Sequence, residues 1–405
     1  MQLADWLAIA AAVSLPWSTS ASGILIALWV VTLLLTLDMQ MLWRILVTPA
    51  GGLPVLLVLL GASGMLWADV FWAERWDGLI SFLKLLVIPL LFVQFRISGR
   101  GFWVLIGYAL SCLVLFLMSS MFWLWPDSAF LFSHDVAVPV KNEATQSGEF
   151  VTCIFGFLYL AFECFERRLW LWLLSITAII FGMLANIFFV ATGRTALVML
   201  LVLSAIFVVK RLKPRGIFIF VVVAAMIATA GWYSSSKLRR HTIQIWTDYQ
   251  QYSATNAQNS SGERVEFWKK SIAFVGDAPL IGHGTGSIHS LFIASSIGRA
   301  GASGSATTNP HNQTFAVAIQ LGLVGAGVLW AMWVSHLLLF RGGGLIEWIG
   351  LVVVAQNLVG SLFNSHLFDF LQGWVYVLGV GVAGGMALKQ RKLQHQTQKP
   401  ADTRT

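Results

Sequence analysis

The sequence predicts an all-α protein that crosses a membrane about twelve times, and three observations lead to this fold class. Hydrophobic residues make up 57% of the 405 positions and charged residues only 11%, a balance far from that of a soluble domain. Apolar runs that approach the roughly 20 residues needed to cross a bilayer recur along the chain. Basic residues fall mainly on one side of these runs, as they do in multi-pass membrane proteins.

Twelve apolar runs are candidate membrane helices, and the first of them is the weakest. They lie near residues 4–18, 22–37, 53–68, 79–95, 101–125, 151–166, 169–192, 195–210, 217–233, 314–340, 345–365 and 371–388. No basic residue precedes the first run, so we interpret it as a retained helix rather than a cleaved signal peptide. The predicted divisions are helices 1–9 at residues 1–233, a large loop at 234–313, helices 10–12 at 314–388, and a polar tail at 389–405 that we expect to be disordered.

The distribution of basic residues predicts the orientation of the chain in the membrane. With both termini in the cytoplasm, fifteen basic residues fall in inside segments, whereas only Arg75, Lys141 and Arg194 fall in short outside loops. The net charge of +8 is therefore mainly a topology signal and does not indicate nucleic-acid binding. The large loop would then lie outside, where its seven basic and four acidic residues should attract anions.

Within the large loop the sequence predicts a polar linker at 252–261, an amphipathic helix at 264–275 and a glycine-rich turn at 280–286. Apolar residues follow Arg264 at three- and four-residue spacing, so this helix should lie on the membrane or on the helix bundle, with Arg264 on its buried-facing side. In the turn, backbone amides near Gly282 and Gly284 could approach a phosphate, although such turns also occur in ordinary loops.

The polar pair His311-Asn312 lies where the large loop meets the tenth apolar run. Asn309 is interpreted as the helix N-cap and Pro310 as the first helical residue, which puts His311 in the first turn. The positive end of the helix dipole opposes a second positive charge there, so the imidazole should favour its neutral form. His311 is therefore a candidate general base. The alternative is an imidazolium that binds a diphosphate, with activity that rises as the solution becomes more acidic.

Two arginines on the same predicted side are candidate anion ligands. Arg194 lies in the short turn between the seventh and eighth runs, at a helix N-terminus where a guanidinium and free amides both favour an anion. Either Arg194 or Arg264 could instead be an interfacial anchor that contacts lipid headgroups. Because short outer loops of this chain carry few basic residues, we favour a site in which both arginines hold a diphosphate beside His311.

Other chemistries find less support in the sequence. His134, His283 and His289 fall in outer segments, but no spacing typical of a metal site joins them, and neither a metal nor a cofactor is expected. The chain has no Walker-type phosphate loop, which counts against ATP-driven work. Lys84 is the only clear charge within a span, which counts against ion-coupled transport.

Three elements in the second half of the chain resemble the O-antigen ligase and polymerase superfamily, and its ligase branch most closely. They are Thr192-Gly-Arg194-Thr-Ala-Leu, then Arg264-Val-Glu-Phe-Trp268 followed by Leu280-Ile-Gly-His-Gly, and finally His311-Asn312 with Gly322 and Gly325 downstream. The first half of the chain is similar to the family only in its hydropathy.

The resemblance implies a GT-C-type glycosyltransferase of the Gram-negative inner membrane that works at the periplasmic face without a metal ion or nucleotide sugar. Its donor would be O-antigen polysaccharide on undecaprenyl diphosphate, and its acceptor a sugar of lipid A-core. The expected site has His311 as the base of an inverting transfer, Arg194 and Arg264 as diphosphate ligands, and Asn312, Gly282 and Gly284 as supporting residues. An O-antigen polymerase, a protein-glycosylating relative and a non-enzymatic exporter of lipid-linked sugars are the alternatives.

Overall fold

The computed structural model describes residues 1–126 and 137–397, and the elements of regular structure in these ranges are helices. The α-helices are α1 (Gln2–Ser14), α2 (Thr19–Leu34), α3 (Met39–Leu46), α4 (Pro49–Gly64), α5 (Trp72–Leu83), α6 (Val87–Ile97), α7 (Gly101–Leu124), α8 (Glu143–Glu166), α9 (Trp170–Phe189), α10 (Arg194–Arg211), α11 (Pro214–Ser234), α12 (Ser236–Thr255), α13 (Ser260–Asp277), α14 (Ile288–Ser296), α15 (Gln313–Leu339), α16 (Leu345–Gly360) and α17 (Phe370–Thr397). His134 and residues 398–405 of the predicted tail lie outside the described residues.

Every predicted apolar run is helical over most of its length, and the run at 79–95 includes parts of α5 and α6 with a 3-10 turn between them. This all-helical arrangement agrees with a multi-pass membrane protein. By length and composition, seven helical stretches of the described residues can each cross a membrane, and an eighth forms if α2 and α3, which meet at a bend of 113°, count as one span. Three further apolar helices, α1, α4 and α16, are shorter. Twelve complete crossings therefore stay a prediction, because several of the twelve helices are shorter than a bilayer requires.

Three local predictions need correction. The segment 236–255 forms the helix α12, so the predicted linker shrinks to the four residues between α12 and α13. Helix α13 begins at Ser260, where the side chain of Asn259 accepts a hydrogen bond from the amide of Gly262 at 2.8 Å. The predicted tail is not disordered at its start, because α17 continues to Thr397.

The core of the bundle is one large apolar cluster in which α6 and α17 pack closely together. Small residues of α17 make this approach possible, since a methyl group added at Gly381 or Gly384 would lie only 2.4 or 2.3 Å from Leu91 or Phe92. Lys84 lies in a 3-10 turn between α5 and α6, where its ammonium donates hydrogen bonds to the carbonyls of Phe368 and Asp369, both at 2.9 Å. This predicted intramembrane charge therefore ties α5 and α6 to the loop before α17.

The segment 236–312 covers one end of the bundle, which we call the loop end. Phe267 and Phe274 of α13 pack with Phe292 of α14 and with Ala316 and Ile319 of α15, forming a second apolar cluster. Helix α13 thus lies on the bundle through the apolar face that the sequence predicts. Lys270, however, belongs to the buried side, where its ammonium donates to the hydroxyl of Ser296 at 2.7 Å.

Helix α15 is interrupted at Gly322, and the glycine-rich turn fills the interruption. Gly322 has a φ of 62°, and a Cβ at this position would lie 2.2 Å from the carbonyl oxygen of Leu280. The amides of Leu323 and Val324, freed by the break, donate to the carbonyls of Pro279 and Leu280 at 2.8 and 3.2 Å. A residue with a side chain would not fit between these two backbones, which explains why glycine occurs here.

Candidate functional site

His311 lies immediately before α15 and not in its first turn as predicted. The N-cap is Asn312, whose side-chain oxygen accepts hydrogen bonds from the amides of Thr314 at 2.9 Å and Phe315 at 3.2 Å. Asn309 and Pro310 precede the helix, so the predicted cap is wrong by three residues. Asn312 thus makes the helix begin at a fixed point beside His311.

The backbone at His311 is left-handed, with a φ of 53°, a conformation that is uncommon for residues other than glycine. Asn309 stabilises it, because its side-chain oxygen accepts hydrogen bonds from the amide of His311 at 2.9 Å and from the hydroxyl of Ser365 at 2.8 Å. Backbone strain of this kind persists only where surrounding contacts hold it in place, and such places are often functional sites.

A hydrogen-bonded chain of side chains fixes the imidazole of His311. Its Nδ1 lies 3.0 Å from the side-chain oxygen of Asn364, which also accepts a hydrogen bond from Asn309 at 2.8 Å. The amide nitrogen of Asn364 in turn donates to a carboxylate oxygen of Asp369 at 2.6 Å. Phe267 stacks against the ring, with centroids 6.0 Å apart and planes inclined by 16°.

This chain determines which imidazole nitrogen carries the proton. Because the amide nitrogen of Asn364 is committed to Asp369, its oxygen faces His311 and can only accept, so Nδ1 of His311 is the donor. Nε2 has no hydrogen-bond partner among the described residues and is left to act on a ligand. Burial and the nearby Arg264 lower the pKa of His311, while the hydrogen bond to Asn364 and the charge of Glu263 act in the opposite direction. The neutral imidazole that results is a proton acceptor at Nε2.

Arg264 lines the same cavity as His311. This cavity, which we call the His311 cavity, has a volume of about 430 Å³ and is bounded mainly by the start of α13 and the residues just before it. The guanidinium of Arg264 forms no hydrogen bond or ion pair with the described residues. Its pKa is lowered mainly by burial and to a smaller extent by the positive charge of Arg194. A partly buried arginine without a partner is a strong ligand for an incoming anion.

Arg194 is the first residue of α10, directly after the predicted turn between α9 and α10. A methyl group at Gly193 would lie 2.2 Å from the hydroxyl of Ser147, so only glycine lets the turn approach α8 this closely. Arg194 does not line the His311 cavity, although its charge acts on Arg264. Its guanidinium faces Asp248 of α12, 3.9 Å from the carboxylate.

The glycine-rich turn does not form the phosphate cradle that the sequence predicts around Gly282 and Gly284. The amide of Gly282 donates to the carbonyl of Ala278 at 3.1 Å, and that of Gly284 to the carbonyl of Gln320 at 2.9 Å. The intervening amide of His283 donates to the carbonyl of Ile319 at 2.8 Å. These amides all donate to carbonyls of the protein, so the turn that contains both glycines joins the loop segment to α15.

Sequence reasoning missed three residues that complete this arrangement: Asn364, Asp369 and Asp248. Asn364 and Asp369 lie in the loop between α16 and α17, and Asn364 fell inside a predicted span. A signal was present, since several polar residues interrupt the apolar pattern between Ser361 and Asp369.

The arrangement at the loop end can bind an anion and accept a proton within one cavity. A second cavity, of about 270 Å³, lies among α1, α7, α8, α16 and α17 and is lined almost wholly by hydrocarbon side chains, which do not offer such chemistry. The cavity that contains His311 and Arg264 is therefore the candidate site.

No curated protein matches the chain closely enough to be identified as a relative. A family model described as O-antigen ligase matches residues 178–330, a stretch that contains Arg194, Arg264 and His311 as well as α10 to α14. Together with the apolar helices on both sides of this stretch, the match assigns the chain to a multi-pass bacterial membrane protein with ligase-type or polymerase-type function. Residues 178–330 of the chain are thus similar to the O-antigen ligase family.

Proposed function

We propose that this protein is an O-antigen ligase, a glycosyltransferase that moves O-antigen polysaccharide from undecaprenyl diphosphate to a sugar hydroxyl of lipid A-core. The observation that carries the proposal is the shared cavity of His311 and Arg264, in which neither Nε2 of the base nor the guanidinium has a partner among residues 1–126 and 137–397. A transfer from a diphosphate to a hydroxyl needs these two functions side by side.

Arg264 would bind the diphosphate of the donor and neutralise the charge that grows on it as the sugar departs. Arg194 would add a second positive charge behind Arg264, held in place by Asp248. The lowered pKa of Arg264, caused by burial and by Arg194, supports this role, because an anion bound between two cations relieves their repulsion. With the leaving group neutralised in this way, the reaction needs no separate general acid.

His311 would act as the general base. As the acceptor hydroxyl oxygen forms a bond to the anomeric carbon, its proton moves to Nε2, and the bond from that carbon to the diphosphate oxygen breaks with its electron pair. Asn364 donates nothing to Nε2 and holds Nδ1, so the imidazolium that forms is stabilised through Nδ1 and indirectly through Asp369. A single displacement of this kind inverts the anomeric configuration.

The predicted excess of basic residues on the opposite side of the bundle supports a periplasmic location for the loop end and cytoplasmic termini. The donor and the acceptor are both lipids, so they would reach the cavity from the outer leaflet of the inner membrane. This arrangement needs no nucleotide sugar, which is confined to the cytoplasm.

The experiment that tests the proposal uses purified protein in lipid nanodiscs with undecaprenyl diphosphate-linked O-antigen and lipid A-core. We expect covalent transfer of the polysaccharide to lipid A-core, detected as a mass shift, with inversion at the anomeric carbon detected by NMR spectroscopy. Growth of the donor chain without use of lipid A-core would make the protein a polymerase. No covalent product, together with movement of the donor across a vesicle membrane, would make it an exporter.

A further inference from the structure

Another polar cavity is lined in part by Asn309 and Pro310, the two residues that precede His311. It has a volume of about 400 Å³ and lies among α5, the start of α14, α15 and the loop before α17. Because Asp369 lines it, we call it the Asp369 cavity. None of its lining residues lines the His311 cavity.

The linings of the two cavities contain consecutive residues of the chain. Asn309 and Pro310 line the Asp369 cavity, while the next residue, His311, lines the other. The side chain of Asn309 is hydrogen-bonded to a residue of each cavity. It accepts from the amide of His311, and from the hydroxyl of Ser365, which lines the Asp369 cavity. A group bound in the Asp369 cavity would thus lie one residue away from the proposed base.

The chemistry of the Asp369 cavity is opposite to that of the His311 cavity. It presents three carboxylates, those of Glu74, Asp77 and Asp369, and no arginine or lysine lines it. None of the three forms an ion pair within residues 1–126 and 137–397. Such a surface repels phosphates and is therefore unsuited to the donor diphosphate.

The spacing of these groups also disfavours a metal ion, because no group of three or more His, Cys, Asp and Glu side chains in the described residues could hold one. Hydroxyl and amide groups from Ser81, Asn309 and Ser365 alternate with the apolar surfaces of Ile288 and Phe368. Scattered acceptors around a partly apolar surface match a ligand with many hydroxyl groups and a hydrocarbon ring face.

We propose that the Asp369 cavity binds an uncharged sugar residue of the acceptor glycan and delivers its hydroxyl to His311 from the side opposite the diphosphate. This inference rests on the proposed glycosyl transfer and adds a binding site for the second substrate. Carboxylates would accept hydrogen bonds from the sugar hydroxyls, whereas phosphorylated sugars of the acceptor would be kept out of the cavity.

Asp77 is the residue on which to test the site. Glu74 accepts a hydrogen bond from the amide of Phe71 at the start of α5, and Asp369 holds Asn364, so substitution of either would disturb other contacts. Asp77 is exposed and lines the cavity. Asp69, an exposed carboxylate in the connection that leads into α5, does not line the cavity and is the matched control.

The experiment measures transfer in nanodiscs with Asp77→Asn, Asp77→Lys and Asp69→Asn, varying lipid A-core and donor separately. Loss of one charge-assisted hydrogen bond corresponds to a change of about tenfold, so we expect the KM for lipid A-core to rise about threefold in Asp77→Asn and about tenfold in Asp77→Lys. The donor KM and kcat should stay within about twofold, and Asp69→Asn should match the wild type in all three quantities. An unchanged acceptor KM in Asp77→Lys would overturn the inference while leaving the proposed transfer intact.

A direct binding measurement separates this inference from the proposed function. The probe is the dephosphorylated core oligosaccharide released from lipid A-core by mild acid, observed by saturation-transfer NMR with the protein in nanodiscs. Saturation transfer that is present in the wild type and in Asp69→Asn but lost in Asp77→Lys supports the site, even if no glycosyl transfer is found. Absence of saturation transfer in the wild type overturns it.

Discussion

Two non-helical segments, residues 280–286 and 309–312, both contact α15, yet they differ in what they leave available. In the glycine-rich turn, consecutive amides donate to the backbone carbonyls of Ala278, just after α13, and of Ile319 and Gln320 in α15. In the second segment, the asparagine side chains satisfy the backbone, and Nε2 of His311 has no partner among the described residues. The comparison teaches that a glycine-rich or polar segment is a ligand site only if its donors and acceptors are not already used in folding.

The largest effect should follow from removal of His311. We expect His311→Ala to lower kcat for transfer about 1000-fold, within the range for loss of a general base, while the temperature of unfolding stays close to that of the wild type. The matched control is His283→Ala in the glycine-rich turn, where Nε2 hydrogen bonds with the carbonyl of Phe274 at 2.8 Å. That variant should lose stability and keep its kcat. Equal losses of kcat in His311→Ala and His283→Ala would mean that His311 has no catalytic role distinct from that of His283.

The two arginines extend the comparison to a free and a paired cation. Arg264→Gln should lower kcat/KM for the donor about 100-fold, because a partly buried charge that faces the diphosphate is removed. Arg194→Gln should cost only about tenfold, since Arg194 lies outside the cavity and is already paired with Asp248. Lysine at position 264 should restore part of the activity. A larger loss from Arg194→Gln than from Arg264→Gln would show that the paired arginine is the main ligand.

Substitution in the glycine-rich turn should change stability more than chemistry. A Cβ at Gly282, where φ is 69°, would lie 2.5 Å from the carbonyl carbon of Gln320. We expect Gly282→Ala to lower the free energy of unfolding by about 2–3 kcal/mol, from backbone strain and the forced displacement of α15. Gly298→Ala is the control, because φ is similar at 73° but no atom lies within 4 Å, so it should cost about 1 kcal/mol. Denaturant unfolding in detergent measures both, and a kcat loss in Gly282→Ala beyond about threefold would give the turn a catalytic role.

Asp369 tests the hydrogen-bonded chain behind His311. Asp369→Ala should lower kcat about tenfold, because Asn364 loses the acceptor that orients it, whereas Asp369→Asn keeps a weaker acceptor and should lower kcat about threefold. The KM for the donor should not change in either variant. A loss that falls only on KM, or an equal loss in both variants, would mean that Asp369 does not position the base.

The fold could be predicted from the sequence further than the site. Each apolar run gave a helix, and Arg264 faces inward on α13, because hydropathy and helical periodicity are local properties of the chain. The N-cap was misplaced because Asn309 and Asn312 have equal capping preference, and only the contact of Asn309 with Asn364 and Ser365 decides between them. Asn364 itself is 53 residues from His311 along the chain, so no local pattern could pair them.

The pH dependence of transfer distinguishes a neutral base from an imidazolium that binds phosphate. Burial and Arg264 lower the pKa of His311 from its ordinary value of 6.5, so the neutral imidazole predominates at pH 7. The imidazole becomes protonated only as the pH falls through this lowered pKa. We therefore expect kcat/KM to be level near neutrality and to decrease in acid. Activity that rises as the pH falls would instead assign the imidazolium to phosphate binding.

Burial raises the pKa of Asp369 to about 6, so this carboxylate also becomes protonated in acid. Its contribution to the pH dependence must therefore be distinguished from that of His311. In Asp369→Asn the acidic decrease should persist, since it belongs to His311. In Arg264→Gln the decrease should move to higher pH, because the positive charge that disfavours the imidazolium is gone and Glu263 is left to favour it. An unchanged profile in Arg264→Gln would mean that the guanidinium and the imidazole do not interact within one cavity, and the two groups would then belong to separate sites.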